Sequence, residues 1–285
     1  MHRYGYGELE AGIPPDIVCL AMEISNLQGQ EARRRIGNRE SYDALYAEAR
    51  VSSVMYSNLI EGIWVKRSRV EAICDRADEP ENEEEREVAG YRDALDEVRS
   101  GRTFMEPGTD AIERLHGMLM SYASMDGGHY KEKDNAIISS DGRGNTTLIF
   151  APVSADETPE AMERMLEAYE LYSGNPRIPQ LILIPCVIHD FLCIHPFTDG
   201  NGRMSRLLTE SLLVANGYDV CLYRSMDEMI CTSRNGYYSS LARSSSGWHL
   251  NTHSYYPFVR YFLERLRKCY YDLGAIVPFK VRETS

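Results

Sequence analysis

The most apolar run of the chain, Leu181 to Ile194, is followed at once by twelve residues of mixed chemistry. They read His195-Pro196-Phe197-Thr198-Asp199-Gly200-Asn201-Gly202-Arg203-Met204-Ser205-Arg206. The apolar run is too short to cross a bilayer and is interrupted by polar residues, so it predicts a buried central helix. A second helix is expected to begin near Gly202. The fold must therefore bury one helix and hold a polar loop at its end.

This polar loop has the composition of a polyphosphate site. Gly200 and Gly202 allow the backbone to approach an anion, and a helix N-terminus adds partial positive charge. Arg203 and Arg206 are three residues apart, so they lie on one helix face and can clamp successive phosphates. Asp199 offers hard oxygen atoms to Mg²⁺. These residues together predict a nucleotide site.

His195 is the side chain of this stretch whose unperturbed pKa lies near neutrality, which makes it the candidate general base. The twelve residues match every defined position of the His-Pro-Phe-x-Asp-Gly-Asn-Gly-Arg-x-x-Arg signature, so the chain resembles the Fic family. The resemblance covers roughly residues 50 to 265. It implies a mainly α fold, the Fic/Doc helical fold with a β-hairpin flap over the active site.

The resemblance also implies an activity, protein adenylylation, in which AMP moves from ATP to a Ser, Thr or Tyr hydroxyl of a target protein. His195 would be catalytic, and Asp199 would hold Mg²⁺, with Mn²⁺ as the alternative ion. Nucleotide-binding roles fall to Gly200, Asn201, Gly202, Arg203 and Arg206. Within this set, Asn201 would stabilise charge at the α-phosphate, while Arg203 and Arg206 would bind the β- and γ-phosphates.

A second motif lies upstream, where Ser57 and Glu61 are four residues apart on one face of a predicted helix that Gly62 ends. Spacing alone favours a surface glutamate. A carboxylate at a helix C-terminus is opposed by the dipole, however, which favours a cationic partner. The stretch resembles the Ser/Thr-x-x-x-Glu-Gly/Asn inhibitory motif of Fic proteins. That resemblance implies that Glu61 pairs with Arg206 and blocks the γ-phosphate, so the enzyme would be autoinhibited.

Residues 136–138 and 146–150 are predicted to form a β-hairpin with a turn at 141–145. In Fic proteins a hairpin at this place holds the target segment by strand pairing. Lys131, where relatives often carry arginine, is given no site role. Tyr238 belongs to a Tyr-Tyr pair that resembles an element lining the adenosine pocket, with a core position as the equal alternative.

We expect an N-terminal helical region at residues 1–100, containing the inhibitory helix, and a catalytic core with C-terminal helices at 101–285. The net charge of −12 argues against nucleic acid and membrane partners. Expected partners are ATP and a hydroxyl-bearing protein substrate, and a homodimer is left open. Seven cysteines without C-x-x-C pairing predict core thiols. Together with an N-terminus that lacks an apolar leader, they predict a cytoplasmic protein.

Three other functions stay open at this point. A glutamate-containing Fic enzyme can run in the other direction and remove AMP, with the glutamate positioning water. Another nucleotide donor is the second alternative, because Ser246-Gly247 stands where many relatives carry an asparagine before the glycine. The third is a non-catalytic nucleotide-binding module, against which the intact His195 and Asp199 argue, since binding alone needs no base.

Overall fold

The apolar run forms a helix, Gln180–Ile194, at the centre of the fold. The structure, a computed structural model, describes residues 2–101, 108–123, 127–140 and 146–278. Before the hairpin the helices are α1 (Glu8–Ala11), α2 (Pro15–Ile36), α3 (Arg39–Ile60), α4 (Arg67–Cys74), α5 (Glu83–Arg99) and α6 (Thr109–Leu119). The hairpin strands are β1 (Ile137–Ser140) and β2 (Thr146–Phe150). After them come α7 (Thr158–Ser173), α8 (Gln180–Ile194), α9 (Asn201–Ala215), α10 (Met226–Thr232), α11 (Arg234–Ser245) and α12 (Tyr256–Ile276).

Helix α8 is enclosed by other helices on all sides. Every residue from Leu181 to Ile194 is buried, and α7, α9, α11 and α12 pack against it. A helix that is apolar all round is stable in water only when it is surrounded in this way. The predicted central helix is therefore confirmed, and its C-terminus is a rigid base for the loop that follows.

Helix α3 brings the upstream motif to the same place. It packs against α5, α9 and α10 and ends in a tight C-terminal turn. Gly62 has φ 89°, its N–H donates to Leu59 O (3.1 Å), and Ile63 N–H donates to Asn58 O (3.1 Å). This is the Schellman arrangement, which favours glycine at the left-handed position. Gly62 ends the helix as predicted and leaves Glu61 at its tip.

The hairpin pairs as expected. β1 and β2 are antiparallel, with Ile138 opposite Leu148 and an irregularity between Ile137 and Ile138. Ile138 and Leu148 are more than half exposed, so the flap presents apolar side chains. The turn predicted at 141–145 lies outside the described residues.

The remaining helices pack around this centre, with α2 lying along α12. No disulfide is formed by the seven cysteines, and five are buried, but Cys19 is exposed, contrary to the prediction of core thiols. Its position on the outer face of α2 explains the difference, since the helix buries only one side. Within the described ranges, no helix combines the length and apolarity needed to cross a bilayer. The division at residue 100 stays a prediction.

Candidate active site

The loop between α8 and α9 depends on two left-handed residues. His195 has φ 51° and ψ 61° and ends α8, and Pro196 follows it without an N–H for a continuing helix. A positive φ is uncommon outside glycine and is held in place only when the surroundings fix it. Gly200 has φ 76° and precedes α9; a Cβ there would lie 3.2 Å from Leu119 Cδ2. The glycine is thus required both by conformation and by space.

Side chains from outside the loop fix the strained backbone at His195. Lys131 Nζ donates to Ile194 O and His195 O, each at 3.0 Å, and its backbone N–H donates to Pro196 O (2.8 Å). Asn135 Nδ2 donates to His195 O (3.2 Å) and to Phe197 O (3.1 Å). Lys131 is buried, and burial lowers its pKa to about 8. It was given no site role from the sequence, and the structure corrects this: Lys131 holds the loop.

The side chain of Asn201 makes contacts other than the predicted one with an α-phosphate. Its side-chain oxygen accepts from Phe197 N–H (2.9 Å) and its amide donates to Phe197 O (2.7 Å). Both polar ends of the buried amide are used within the loop, so the side chain is not free to reach an α-phosphate. The backbone N–H of Asn201, in the first turn of α9, remains available because the first N–H groups of a helix have no partner within it.

His116 of α6 supports the loop from the other side. Its ring stacks on Phe197, with centroids 3.7 Å apart, and Nε2 lies 3.1 Å from Asp199 O. Nδ1 accepts from Gly128 N–H (3.0 Å), so Nε2–H is the donor to Asp199 O. Burial lowers the pKa of His116 to about 4, which keeps the ring neutral in this role.

His195 has the tautomer that a general base needs. Its Nδ1 lies 3.2 Å from Leu192 O, and because a carbonyl oxygen only accepts, Nδ1 carries the hydrogen. The lone pair is then on Nε2. Burial lowers the pKa of His195 to about 4, so the ring is neutral near pH 7. The candidate base is ready to accept a proton without first losing one.

A cavity of 670 Å³ opens at this loop, which is in the usual range for small-ligand sites. It is lined by His195, by the start of α9, by the flap residues Ile138 and Phe150, and by Tyr237 and Tyr238 of α11. Tyr238 is 47% exposed, so one ring face is accessible to a planar group. Tyr237 is buried beneath it.

Arg206 lies at the back of the cavity, where α3 holds it. Its Nε donates to Ser57 Oγ (2.7 Å), and its Nη2 donates to Ser57 O (2.9 Å) and to Glu61 Oε1 (2.8 Å). The contact between Glu61 and Arg206 that the resemblance implies is therefore present. Arg206 is 5% exposed, whereas the Glu61 side chain is 35% exposed and lines the cavity.

Gly202 brings the Glu61 carboxylate against the backbone of α9. A Cβ at residue 202 would collide with Glu61 Oε1. Because Gly202 has no side chain, the Glu61 carboxylate can lie at the N-terminus of α9, where the helix dipole favours negative charge. Glu61 occupies the kind of position in which an anionic ligand would bind.

Asp227 of α10 also faces Arg206 and was missed from the sequence. Its Oδ1 lies 3.5 Å from Arg206 Nε. Asp227 is buried; desolvation raises its pKa to about 6, and Arg206 opposes that shift. No motif marks this residue, which reaches Arg206 only through the packing of α10 on α3.

Arg203 is placed differently from its predicted role. It does not line the cavity; its Nη1 forms an ion pair with Glu87 of α5 (2.7 Å) and its Nη2 lies 3.5 Å from Asp199. Arg203 is 1% exposed. Glu87 belongs to an acidic run typical of a solvated face, so the pattern gave no indication of this pair. Binding of a β-phosphate by Arg203 stays a prediction and would need Asp199 or Glu87 to release it.

Asp199 is the candidate metal ligand. Asp199 lines the cavity, its side chain is 56% exposed, and its Oδ2 lies 3.5 Å from Arg203 Nη2. In the part of the chain that the structure describes, no cluster of three His, Cys, Asp or Glu side chains includes it. A single accessible carboxylate suits Mg²⁺, which takes its other oxygens from phosphates and water. The residues present therefore fit Mg²⁺ brought with a nucleotide.

The comparisons with known proteins agree with this geometry. Residues 107–213 match the family model described as Fic/DOC family. A protein adenylyltransferase Fic of Nematostella vectensis is 28% identical over 244 residues, 81% of this chain and 51% of that protein. The chain thus spans about half the length of this curated relative. The chain therefore carries a Fic/DOC family domain, and the matched range contains α6, the hairpin, α7, α8 and most of α9.

Solved structures show the same fold. A Fic family protein from Desulfovibrio desulfuricans has a TM-score of 0.77 at 23% identity, over 95% of this chain and 78% of that one. A Fic domain containing signaling protein from Bacteroides thetaiotaomicron has a TM-score of 0.75 at 18% identity, over 92% and 100% of the two chains. The mainly helical Fic fold with its hairpin flap is confirmed.

Proposed function

We propose that this chain is a protein adenylyltransferase that transfers AMP from ATP to a hydroxyl side chain of a target protein. One observation carries the proposal: His195, whose Nδ1 is the protonated nitrogen and whose Nε2 can therefore accept a proton, lines the same cavity as the start of α9. The name of the Nematostella vectensis relative supports it at the level of the family.

In the proposed reaction, the hydroxyl oxygen of the target attacks the α-phosphorus of ATP and the bond to pyrophosphate breaks. His195 Nε2 takes the hydroxyl proton. The N–H groups at the start of α9 face the phosphates, and Arg206 orients the γ-phosphate once it is free. Asp199 would hold Mg²⁺, which when bound offsets the negative charge of the phosphates. Tyr238 is positioned to stack on the base.

We propose further that Glu61 keeps the enzyme inactive in the state described. Its carboxylate shares Arg206 and the start of α9 with the proposed γ-phosphate position, so the two anions exclude each other. ATP would then bind in an unproductive way until α3 moves. Ser57 contributes by fixing the same guanidinium.

The test is self-labelling with ATP that carries the label on either the α- or the γ-phosphate. Glu61→Gly is expected to incorporate α-label and no γ-label, and adding His195→Ala is expected to abolish incorporation. Glycine is a mild substitution here because Glu61 is the C-cap residue of α3, outside the helix interior where glycine is costly. Incorporation of γ-label, or α-labelling that survives His195→Ala, would contradict the proposal.

Removal of AMP is the second candidate, favoured by one observation: Glu61 lines the same cavity as His195 and is partly exposed. A carboxylate there can position a water as well as exclude a phosphate. Wild type and Glu61→Gly should be incubated with an adenylylated target and Mg²⁺. Release of AMP by wild type and its loss in Glu61→Gly would favour this reaction over transfer.

A further inference from the structure

Three side chains that take no part in the proposed nucleotide site lie close together at the C-terminal half of α8. His2 comes from the N-terminal segment, Asp190 from α8, and His253 from the segment before α12. Their ligand atoms all lie within 4.8 Å of one another. His2 and Asp190 are fully buried and His253 is partly buried. Nothing in the sequence pattern connects these residues, which only the fold brings together.

The ring of His2 is fixed with one nitrogen pointing at the carboxylate. Nδ1 lies 2.8 Å from Trp248 O, and because that carbonyl only accepts, Nδ1 is protonated. Stacking on the Trp248 ring, at 4.0 Å between centroids, sets the plane of the imidazole. Nε2 has no hydrogen-bond partner and lies 3.8 Å from Asp190 Oδ1. That distance is too long for a hydrogen bond, even from a protonated ring.

His253 presents a second unsatisfied imidazole. Both of its ring nitrogens are buried and lack a hydrogen-bond partner in the structure. Its ring centroid lies 5.0 Å from that of His2. Buried polar atoms are nearly always satisfied, so three orphaned ring nitrogens in one place indicate a missing partner.

The carboxylate of Asp190 is oriented by hydrogen bonds, as the carboxylates that bind metal ions in proteins usually are. Trp248 Nε1 donates to Oδ1 (2.8 Å), Tyr6 OH donates to Oδ2 (2.9 Å), and Tyr255 OH lies within 3.0 Å of both oxygens. These donors orient the carboxylate in the way that outer-shell partners do. These three donors are neutral. The imidazoles of His2 and His189 lie 3.8 and 3.9 Å from Oδ1, beyond hydrogen-bond range, so the buried carboxylate has no hydrogen-bonded positive partner.

We propose that His2 Nε2, Asp190 and His253 bind a divalent transition-metal ion, with Zn²⁺ as the ion best suited to two imidazoles and one carboxylate. Ligands of tetrahedral Zn²⁺ lie about 3.3 Å apart when each bond is about 2.0 Å, so the cluster must contract on binding. His2 and His253 both lie on non-helical segments that can make this adjustment. The ion would tie the N-terminus to α8, the helix that leads to His195.

The test uses the full chain without a polyhistidine tag. The protein is stripped with a chelator, loaded with Zn²⁺ or Co²⁺ in a non-coordinating buffer and gel-filtered, and the retained metal is measured. Wild type is expected to retain about one equivalent, as a single site of three ligands does. The Co²⁺ protein should show d–d bands in visible light without the near-ultraviolet charge-transfer band of a thiolate, which separates this site from the cysteines.

His253→Ala is the decisive variant, because His253 makes no hydrogen bond whose loss would unfold the chain. We expect affinity at least about tenfold weaker, since even outer-shell changes cost 10- to 100-fold. His2→Ala should weaken metal binding to a similar extent. His129 is exposed, so His129→Ala is the matched control and should bind the ion as tightly as wild type does. Circular dichroism checks the fold of each variant. Metal-free wild type after loading, or His253→Ala that retains the ion as wild type does, would overturn the proposal.

Discussion

Arg203 and Arg206 lie about one turn apart on α9, yet the protein holds them in different ways. Arg203 is buried away from the cavity and paired with Glu87. Arg206 reaches the cavity, and its carboxylate partner Glu61 stands at the tip of α3 with a third of its side chain exposed. The difference indicates that Arg203 stabilises the packing of α9 on α5 in this state, whereas Arg206 is where, under the proposed function, a ligand and Glu61 would compete.

Replacing each arginine in turn sharpens this comparison and has the largest expected effect. In the Glu61→Gly background, Arg206→Gln should raise the KM for ATP by about 10- to 150-fold, because a hydrogen bond to a charged group contributes about 1.5–3 kcal/mol. The measurement is the rate of AMP incorporation as a function of ATP concentration.

Arg203→Gln should instead lower stability, by about 1–3 kcal/mol. This is less than the 3–5 kcal/mol of a fully buried pair, since Glu87 is partly exposed. Its chemical denaturation curve should shift to lower denaturant, while its KM for ATP should change little. If Arg203→Gln raised KM as strongly as Arg206→Gln did, the two arginines would not differ in the way described.

Lys131 tests whether the loop beneath the cavity is as rigid as its hydrogen bonds suggest. In the Glu61→Gly background, Lys131→Met removes the donors to Ile194 O and His195 O and should lower kcat by about 10- to 100-fold, since small displacements of a catalytic group have effects of this size. The KM for ATP should change little because Arg206 is untouched. Lys133→Met, an exposed neighbour, is the control. An unchanged kcat would mean that the loop keeps its shape without Lys131.

The smallest expected effect is that of pH. Burial lowers the pKa of His195 to about 4, so the base is already neutral at pH 6 and its protonation cannot limit the rate there. Glu61 raises this pKa, so its removal moves the value further down. The kcat of Glu61→Gly should therefore vary by less than about twofold between pH 6 and 7, a range below the pKa of about 8 of Lys131, and its acid limb should lie below pH 6. An acid limb centred near pH 6.5, the value of a free histidine, would contradict the geometry of His195.

The sequence predicted those parts of the site that depend on local pattern. The polar loop after an apolar helix, the start of α9, the flap strands and the end of α3 at Gly62 all follow from spacing and residue type. The contact between Glu61 and Arg206 joins residues 145 positions apart, and only the family resemblance predicted it.

Long-range packing decided the features that the sequence missed. Asn201 was expected to bind phosphate, but its side chain bonds to Phe197, a choice that depends on how the loop folds back. Glu87 and Asp227 reach the two arginines only because α5 packs against α9 and α10 packs against α3. Contacts between residues so far apart in the chain produce no periodic pattern in the sequence. The cluster of His2, Asp190 and His253 could not be predicted for the same reason.

The most direct test of the account is the rate of AMP transfer by Glu61→Gly relative to wild type at the same ATP concentration. Glu48→Ala is the matched control, because Glu48 also lies on α3 and pairs with an arginine, Arg67, away from the cavity. Release of Arg206 should raise the rate by about 5- to 150-fold, the range of coupling free energies of about 1–3 kcal/mol. Glu48→Ala should match wild type. Equal rates for Glu61→Gly and wild type would show that Glu61 does not hold the site inactive.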